Sequence, residues 1–356
     1  MNQITDAMEM VSHLSHPAFC VRDGVIVHVN TAAANRTIEP GTAVSQLLKT
    51  GTEEYAEFTD GCLYLTLTVC SQELGFSVSR KNGFDLFCLV QDAENHALQA
   101  ISLAARELRE PLASIMISAD HLFPEGSDDP AVNNQLSRIN RGLFQMLRLI
   151  SNMSDADRYT TGTASMEVKN IPAFLDEVFG KTAALVERSG VQLTYSGIHD
   201  AIYGLVNTEM LERAVLNIIS NALKFMPQGG TIQAKLVRRG QKLYLSILDS
   251  GSGIQETTRS NLFSRYTREP GVEDGRFGIG LGLVLIRSTA QQHGGTVLVD
   301  QPTERGTRVT MTLAIRPGSS DHVRSPILKV DYAGERDHGL LELSDVLPAD
   351  LYKPQS

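Results

Sequence analysis

Apolar residues recur at spacings of three and four at Leu98, Ile101, Ala105, Leu108, Leu112, Ile115, Ala119 and Leu122. This is the signature of a helix that buries one narrow stripe. The loop PEGSDDPA, residues 124–131, interrupts it, and Val132, Leu136, Ile139, Leu143, Met146, Ile150 and Met153 then repeat the rhythm. Two antiparallel helices with such stripes cannot cover them as a lone hairpin, so pairing with a second chain into a four-helix bundle is expected. Residues 93–160 are therefore assigned to a dimerisation hairpin. Within its first helix stands AARELREPL, and Pro111 there should cost about 3 kcal/mol in an ordinary helix interior.

A chain of 356 residues with 42% hydrophobic content can form two or three cored domains. The net charge of -9 and pI near 5.5 argue against a nucleic-acid surface. No run approaches the roughly 20 apolar residues of a membrane span, and the start MNQITDAMEM is not a secretory signal, so a cytoplasmic protein is expected. Cys20, Cys62, Cys70 and Cys88 show no metal-site spacing and read as small core residues.

Residues 1–92 read as a small β domain. Asp23-Gly24 joins two apolar runs in FCVRDGVIVHVN, CLYLTLTV puts Leu63, Leu65 and Leu67 on one face, and Asn82-Gly83 links GFSVSRK to FDLFCLV. The order of hairpin, short helices and antiparallel strands resembles a PAS sensor domain; a β domain serving only dimerisation is the other reading. Residues 161–316 alternate helices, expected near 171–188 and 208–225, with strands in TIQAKLV and LYLSILDS turning at Arg239-Gly240, an α/β sandwich pattern. Residues 317–356 form a tail with one expected strand and one expected short helix. The fold class is thus α+β multidomain.

Four stretches in the third unit fall in a fixed order: LNIISNALKF, DSGSGI, LFSRYTR and GIGLGL. Taken together they resemble the N, first glycine, F and second glycine boxes of the ATP-binding domain shared by histidine kinases, gyrase-type topoisomerases and Hsp90-type chaperones. Asn217 and Asn221 share one helix face, where amide oxygens suit a Mg²⁺ carried by phosphates; the resemblance makes Asn221 the main metal ligand. Lys224 offers phosphate a point charge and Phe225 a flat face for adenine. Asp249 ends an apolar strand where a carboxylate can accept the adenine amine, and Gly251 and Gly253 let the backbone approach. Gly278, Gly280 and Gly282 open a helix whose amides can hold phosphate oxygens. REPGVEDGRF between the boxes reads as a lid, Phe263 as core. The resemblance adds Thr307 to the nucleotide set and Arg268 as a contact to the terminal phosphate. The implied cofactors are ATP and Mg²⁺.

Gyrase-type and Hsp90-type ATPases carry a glutamate base four residues before the metal asparagine. Here that position is Asn217, which takes no proton, so transfer to a protein group is favoured over hydrolysis. The upstream hairpin agrees with the histidine kinase branch. Its acceptor motif, His-Glu-x-x-(Thr or Asn)-Pro, aligns with AARELREPL at Glu107 and Pro111, but Arg106 replaces the histidine and Glu110 the water-positioning residue. His96 and His121 lie about 15 and 22 Å from Arg106 along a helix rising 1.5 Å per residue, too far to substitute. The resemblance implies a two-component signalling protein that binds Mg-ATP, homodimerises or pairs with another histidine kinase, and passes the γ-phosphate to the partner's histidine with Glu107 as base. A response regulator is a further implied partner. A non-enzymatic ATP-binding regulator acting through the bundle is the alternative, and a hydrolysing ATPase the third reading.

Overall fold

The computed structural model describes residues 8–9, 11–81, 83–90, 95–122, 129–161, 165–226, 229–254, 262–263, 282–302, 305–317 and 336–353. The N-terminal strands are β1 (Ala18–Arg22), β2 (Val25–Val29), β3 (Cys62–Val69), β4 (Gln72–Lys81) and β5 (Phe84–Leu89), with short helices α1 (Thr31–Ala34) and α2 (Thr52–Glu57) between the second and third. Asp23 and Gly24 both take positive φ, the mirror-image turn that matches strand twist, so the first hairpin closes where the sequence places it. Leu63, Leu65 and Leu67 are fully buried against Phe19, Phe76 and Phe87. The opposite face of β3 is buried too: Cys62 and Tyr64 belong to the core of the C-terminal unit. A strand covered on both sides is why every residue of CLYLTLTV except Thr68 is buried, Thr66 included.

The hairpin consists of α3 (Asn95–Leu122) and α4 (Pro130–Thr161), and α3 runs through Pro111 without a break. Arg109 Nη2 donates to Ser151 Oγ across the pair at 3.0 Å. The apolar stripes divide. Ala105, Leu112, Leu136, Leu143 and Ile150 are buried, whereas Leu108, Ile115, Ile139 and Met146 are about half exposed.

The C-terminal unit contains β6 (Glu167–Asn170), α5 (Ile171–Glu187), β7 (Gln192–Ser196), β8 (Tyr203–Val206), α6 (Thr208–Phe225), β9 (Thr231–Arg239), β10 (Lys242–Asp249), α7 (Gly282–Gln292), β11 (Val297–Asp300) and β12 (Arg308–Ala314). Asn207 caps α6, its side chain accepting from the Met210 amide at 2.8 Å, and Gly240 turns β9 into β10 with φ 55°. Ile232, Ala234 and Leu236 alternate inward from β9, beneath the layer of α5, α6 and α7.

The two units share one sheet of ten strands, ordered β2-β1-β5-β4-β3-β11-β12-β10-β9-β7. The junction pairs Cys62 with Val299, Leu63 with Leu298 and Tyr64 with Val297, antiparallel. Polar contacts reinforce it: Lys242 Nζ and Tyr244 Oη reach Glu54 of α2 at 2.9 and 3.1 Å, and Tyr64 Oη donates to Gln291 at 3.0 Å. Nothing in the alternation of either strand announces this partner, since it lies more than 230 residues away.

Of the tail, the short helix α8 (His338–Glu342) and a turn at Ala349–Leu351 are described; the expected strand lies outside the described residues. Leu341, Leu343 and Leu347 are fully buried, and Tyr352 nearly so. This segment is therefore part of the core and no solvated extension.

Candidate functional site

The amphipathic helix α6 buries Leu211, Ala214, Val215, Ile218 and Ile219 in the core and turns Asn217, Asn221 and Lys224 along another line. At its C-terminus the chain meets the DSGSG loop: Ser252 N donates to Phe225 O at 3.3 Å. Asp249 closes β10 there. Its Oδ1 accepts the amides of Gly251 at 2.8 Å and Thr307 at 3.1 Å, and among the described residues both these hydrogen bonds go to the one oxygen. Burial raises its pKa, with the two amides pulling the other way.

Glycine is required in this loop by space. A Cβ on Gly306, at φ +90°, would stand 2.2 Å from Asp249 O, and one on Gly251 2.9 Å from both Asp249 Oδ1 and Phe225 O. Gly253 takes φ +83°. Phe225 is partly exposed at the edge. Gly282, at the start of α7, faces α6: a Cβ there would lie 3.1 Å from Asn217 Oδ1 and 3.8 Å from Asn221 Nδ2. The N box, the first glycine box, Thr307 and the end of the second glycine box thus converge. Phe263 is fully buried beside Tyr64, as a core residue.

Arg268, Gly278, Gly280 and the REPGVEDGRF segment lie outside the described residues, as does the side chain of Arg106. Glu107 is exposed on α3, on the hairpin and outside this cluster.

Two members of the predicted set are engaged by other parts of the chain. Asn217 is buried; its Oδ1 accepts from Arg148 Nη2 at 3.2 Å, and its Nδ2 donates to Arg213 O at 2.9 Å and Glu342 Oε2 at 3.2 Å. Lys224 Nζ donates to Asp345 Oδ2 at 3.0 Å. Burial, then the Arg148 charge, lowers the Lys224 pKa, and Asp345 opposes them. Arg148 of α4 also pairs with Glu342 and Asp345, at 3.2 and 2.7 Å, and donates to Ser220 Oγ at 3.2 Å. Sequence reasoning missed Arg148, Arg213, Glu342 and Asp345. A signal was present in LLELSDVL, where acids alternate with leucines too dense for a solvated tail.

Residues 206–317 match the family model described as the histidine kinase-, DNA gyrase B- and HSP90-like ATPase. Residues 206–317 carry this ATPase domain. The sensor protein KdpD of Clostridium acetobutylicum is 26% identical over 208 residues, 57% of this chain and 23% of its own. The adaptive-response sensory kinase SasA of Crocosphaera subtropica is 27% identical over 248 residues, 65% of this chain and 64% of its own. The chain spans less than two thirds of the length of either. The crystal structure of full-length ShkA with AMPPNP aligns at a TM-score of 0.50 and 19% identity, covering 62% of this chain and 47% of that one, a likeness of fold. The ATPase domain begins with Val206, the last residue of β8, and takes in α6, the glycine loops and β12. Among the described residues no helix is long and apolar enough to cross a membrane.

Proposed function

We propose that the chain is a cytoplasmic, histidine-kinase-like two-component signalling protein: residues 161–316 bind Mg-ATP, residues 93–160 dimerise, and residues 1–92 form a PAS-like sensor. The observation that carries the nucleotide reading is the pair of amide contacts to Asp249. Two backbone amides fix one carboxylate oxygen, which leaves the other for the exocyclic amine of adenine.

The residues fit the group. Asn221, half-buried opposite Gly282, supplies one neutral oxygen, enough for a Mg²⁺ whose other ligands are phosphate oxygens and water. Bound there, the ion offsets phosphate charge. The amides at the start of α7, at Gly282, suit phosphate oxygens; Gly278, Gly280 and Arg268 join the phosphate set by resemblance alone.

Arg106, in the acceptor position, remains a protonated guanidinium and is no nucleophile. Transfer therefore goes to a histidine of a partner kinase: the bond from the γ-phosphorus to the bridging oxygen breaks, ADP leaves, and the imidazole nitrogen gains the phosphoryl group. Glu107, exposed on α3, takes the imidazole proton. A response regulator then accepts the phosphoryl group from the partner. One observation favours a second reading, a non-enzymatic regulator: Asn217 is held by Arg148 of the hairpin and Glu342 of the tail, and Lys224 by Asp345 of the tail.

The test is equilibrium binding of Mg-ATP to the unsubstituted chain and to Asp249→Ala, followed by γ-labelled ATP with a histidine-bearing partner kinase. Loss of binding in Asp249→Ala supports the site, and unchanged affinity removes it. Label on the partner supports transfer; binding without label supports the regulator.

A further inference from the structure

We propose that residues 337–353 form an autoinhibitory latch, whose carboxylates Glu342 and Asp345 occupy the amide and ammonium groups of α6 that a nucleotide's phosphates would otherwise use. The proposal rests on the nucleotide reading above.

Its first support is the chemistry of the contacts. Asp345 Oδ2 receives both Lys224 Nζ at 3.0 Å and Arg148 Nη1 at 2.7 Å, so an anion already sits between two cations at the end of α6. Glu342 Oε2 takes Asn217 Nδ2 and Arg148 Nε, and its Oε1 takes Arg213 Nε at 3.0 Å. Asn217, Lys224 and Arg148 thus face a protein carboxylate in the geometry that suits a phosphate oxygen.

The second support is anchorage. Arg141 donates to the carbonyls of Ser344 and Asp345 at 2.9 Å each, Tyr352 packs edge-on against Phe144, and Arg188 pairs with Asp350 at 2.8 Å. Leu341, Leu343 and Leu347 fill the space below. One short segment therefore bridges α4 of the hairpin to α5 and α6 of the ATPase layer. A nucleotide that recruits Lys224 must displace Asp345, and the same displacement loosens the hairpin from the ATPase domain. Ligand and latch compete, so each weakens the other by one coupling free energy.

Binding of Mg-AMPPNP is measured for the unsubstituted chain and for Asp345→Asn, which keeps shape and removes the charge. Asp345→Asn is expected to bind about tenfold tighter, the scale of a typical coupling. In the unsubstituted chain, saturating Mg-AMPPNP is expected to speed hydrogen exchange at the amides of residues 340–346. Equal affinities of the two proteins overturn the latch while the nucleotide site stands. If Asp345→Asn does not fold, exchange decides alone, and unchanged exchange under saturating nucleotide overturns it. If neither protein binds Mg-AMPPNP, the nucleotide reading fails and the latch falls with it.

Discussion

Arg213 Nε lies 3.0 Å from Glu342 Oε1, and neither side chain touches solvent. A buried pair of this kind offsets a large desolvation cost only while both members are present. Glu342→Ala, which strands the Arg213 charge, is expected to cost about 3–5 kcal/mol, and the double variant Arg213→Met, Glu342→Leu to recover most of it. Urea midpoints at matched m-values check this. A single variant within about 0.5 kcal/mol of the parent would mean that the cluster is not closed in solution.

His293 is held neutral. Its Nε2 accepts the Asn207 amide at 3.0 Å, its Nδ1 lies 2.6 Å from Thr289 O, and burial pushes its pKa from 6.5 down to about 4. As pH falls below 6.5 the unfolded chain takes up a proton that the folded one refuses, so stability drops until about pH 4 and then levels. At 1.36 kcal/mol per pH unit the full loss is about 3 kcal/mol. Denaturation curves at several pH values should show this slope, and His293→Gln should flatten it. An unchanged slope in the variant would assign the acid sensitivity elsewhere.

The loop around Asp249 depends on Gly306. Since a Cβ there would press on Asp249 O, Gly306→Ala should shift Thr307 and the Asp249 carboxylate together. Mg-ATP affinity is expected to fall about tenfold or more, the cost of one misplaced charge-assisted contact. Calorimetric titration measures it, with thermal melting as the check on folding.

The exposed half of the hairpin stripe tests dimerisation. Leu108 and Ile115 are more than half exposed, so the pair Leu108→Arg and Ile115→Arg should cost the isolated chain little. Sedimentation velocity is expected to show a dimer for the parent and a monomer for the variant. A variant that stays dimeric would move the interface elsewhere.

The legible parts of this molecule are those whose signals are local. The Asp23-Gly24 turn, the span of α6 and the β9–β10 hairpin follow from residues within a dozen positions, and the structure matches them closely. The glycine of the Gly306 turn and the carboxylate of Asp249 are close in space because β10 and β12 are neighbours; in the sequence, the resemblance names Thr307 and not Gly306. What could not be read was long-range. The stripe positions Leu108 and Leu112 look equivalent in sequence, yet one is exposed and the other covered, because the spacing alone does not say which side of α3 packs on α4. The leucines around Glu342 and Asp345 signal burial, but nothing in the spacing names the partners Arg148, Arg213 and Lys224, which come from two other helices.

The ladder between Cys62–Tyr64 and Val297–Val299 makes one twisted ribbon of strands from both ends of the chain. Strand twist is shared between neighbours and cannot be altered in one without being felt in the next. β12, the neighbour of β11, starts at Arg308, one residue after the Thr307 amide that fixes Asp249. The N-terminal strands and the Thr307–Asp249 contact thereby belong to a single hydrogen-bonded sheet, joined across the chain by β11 and β12 rather than through the helices of the hairpin.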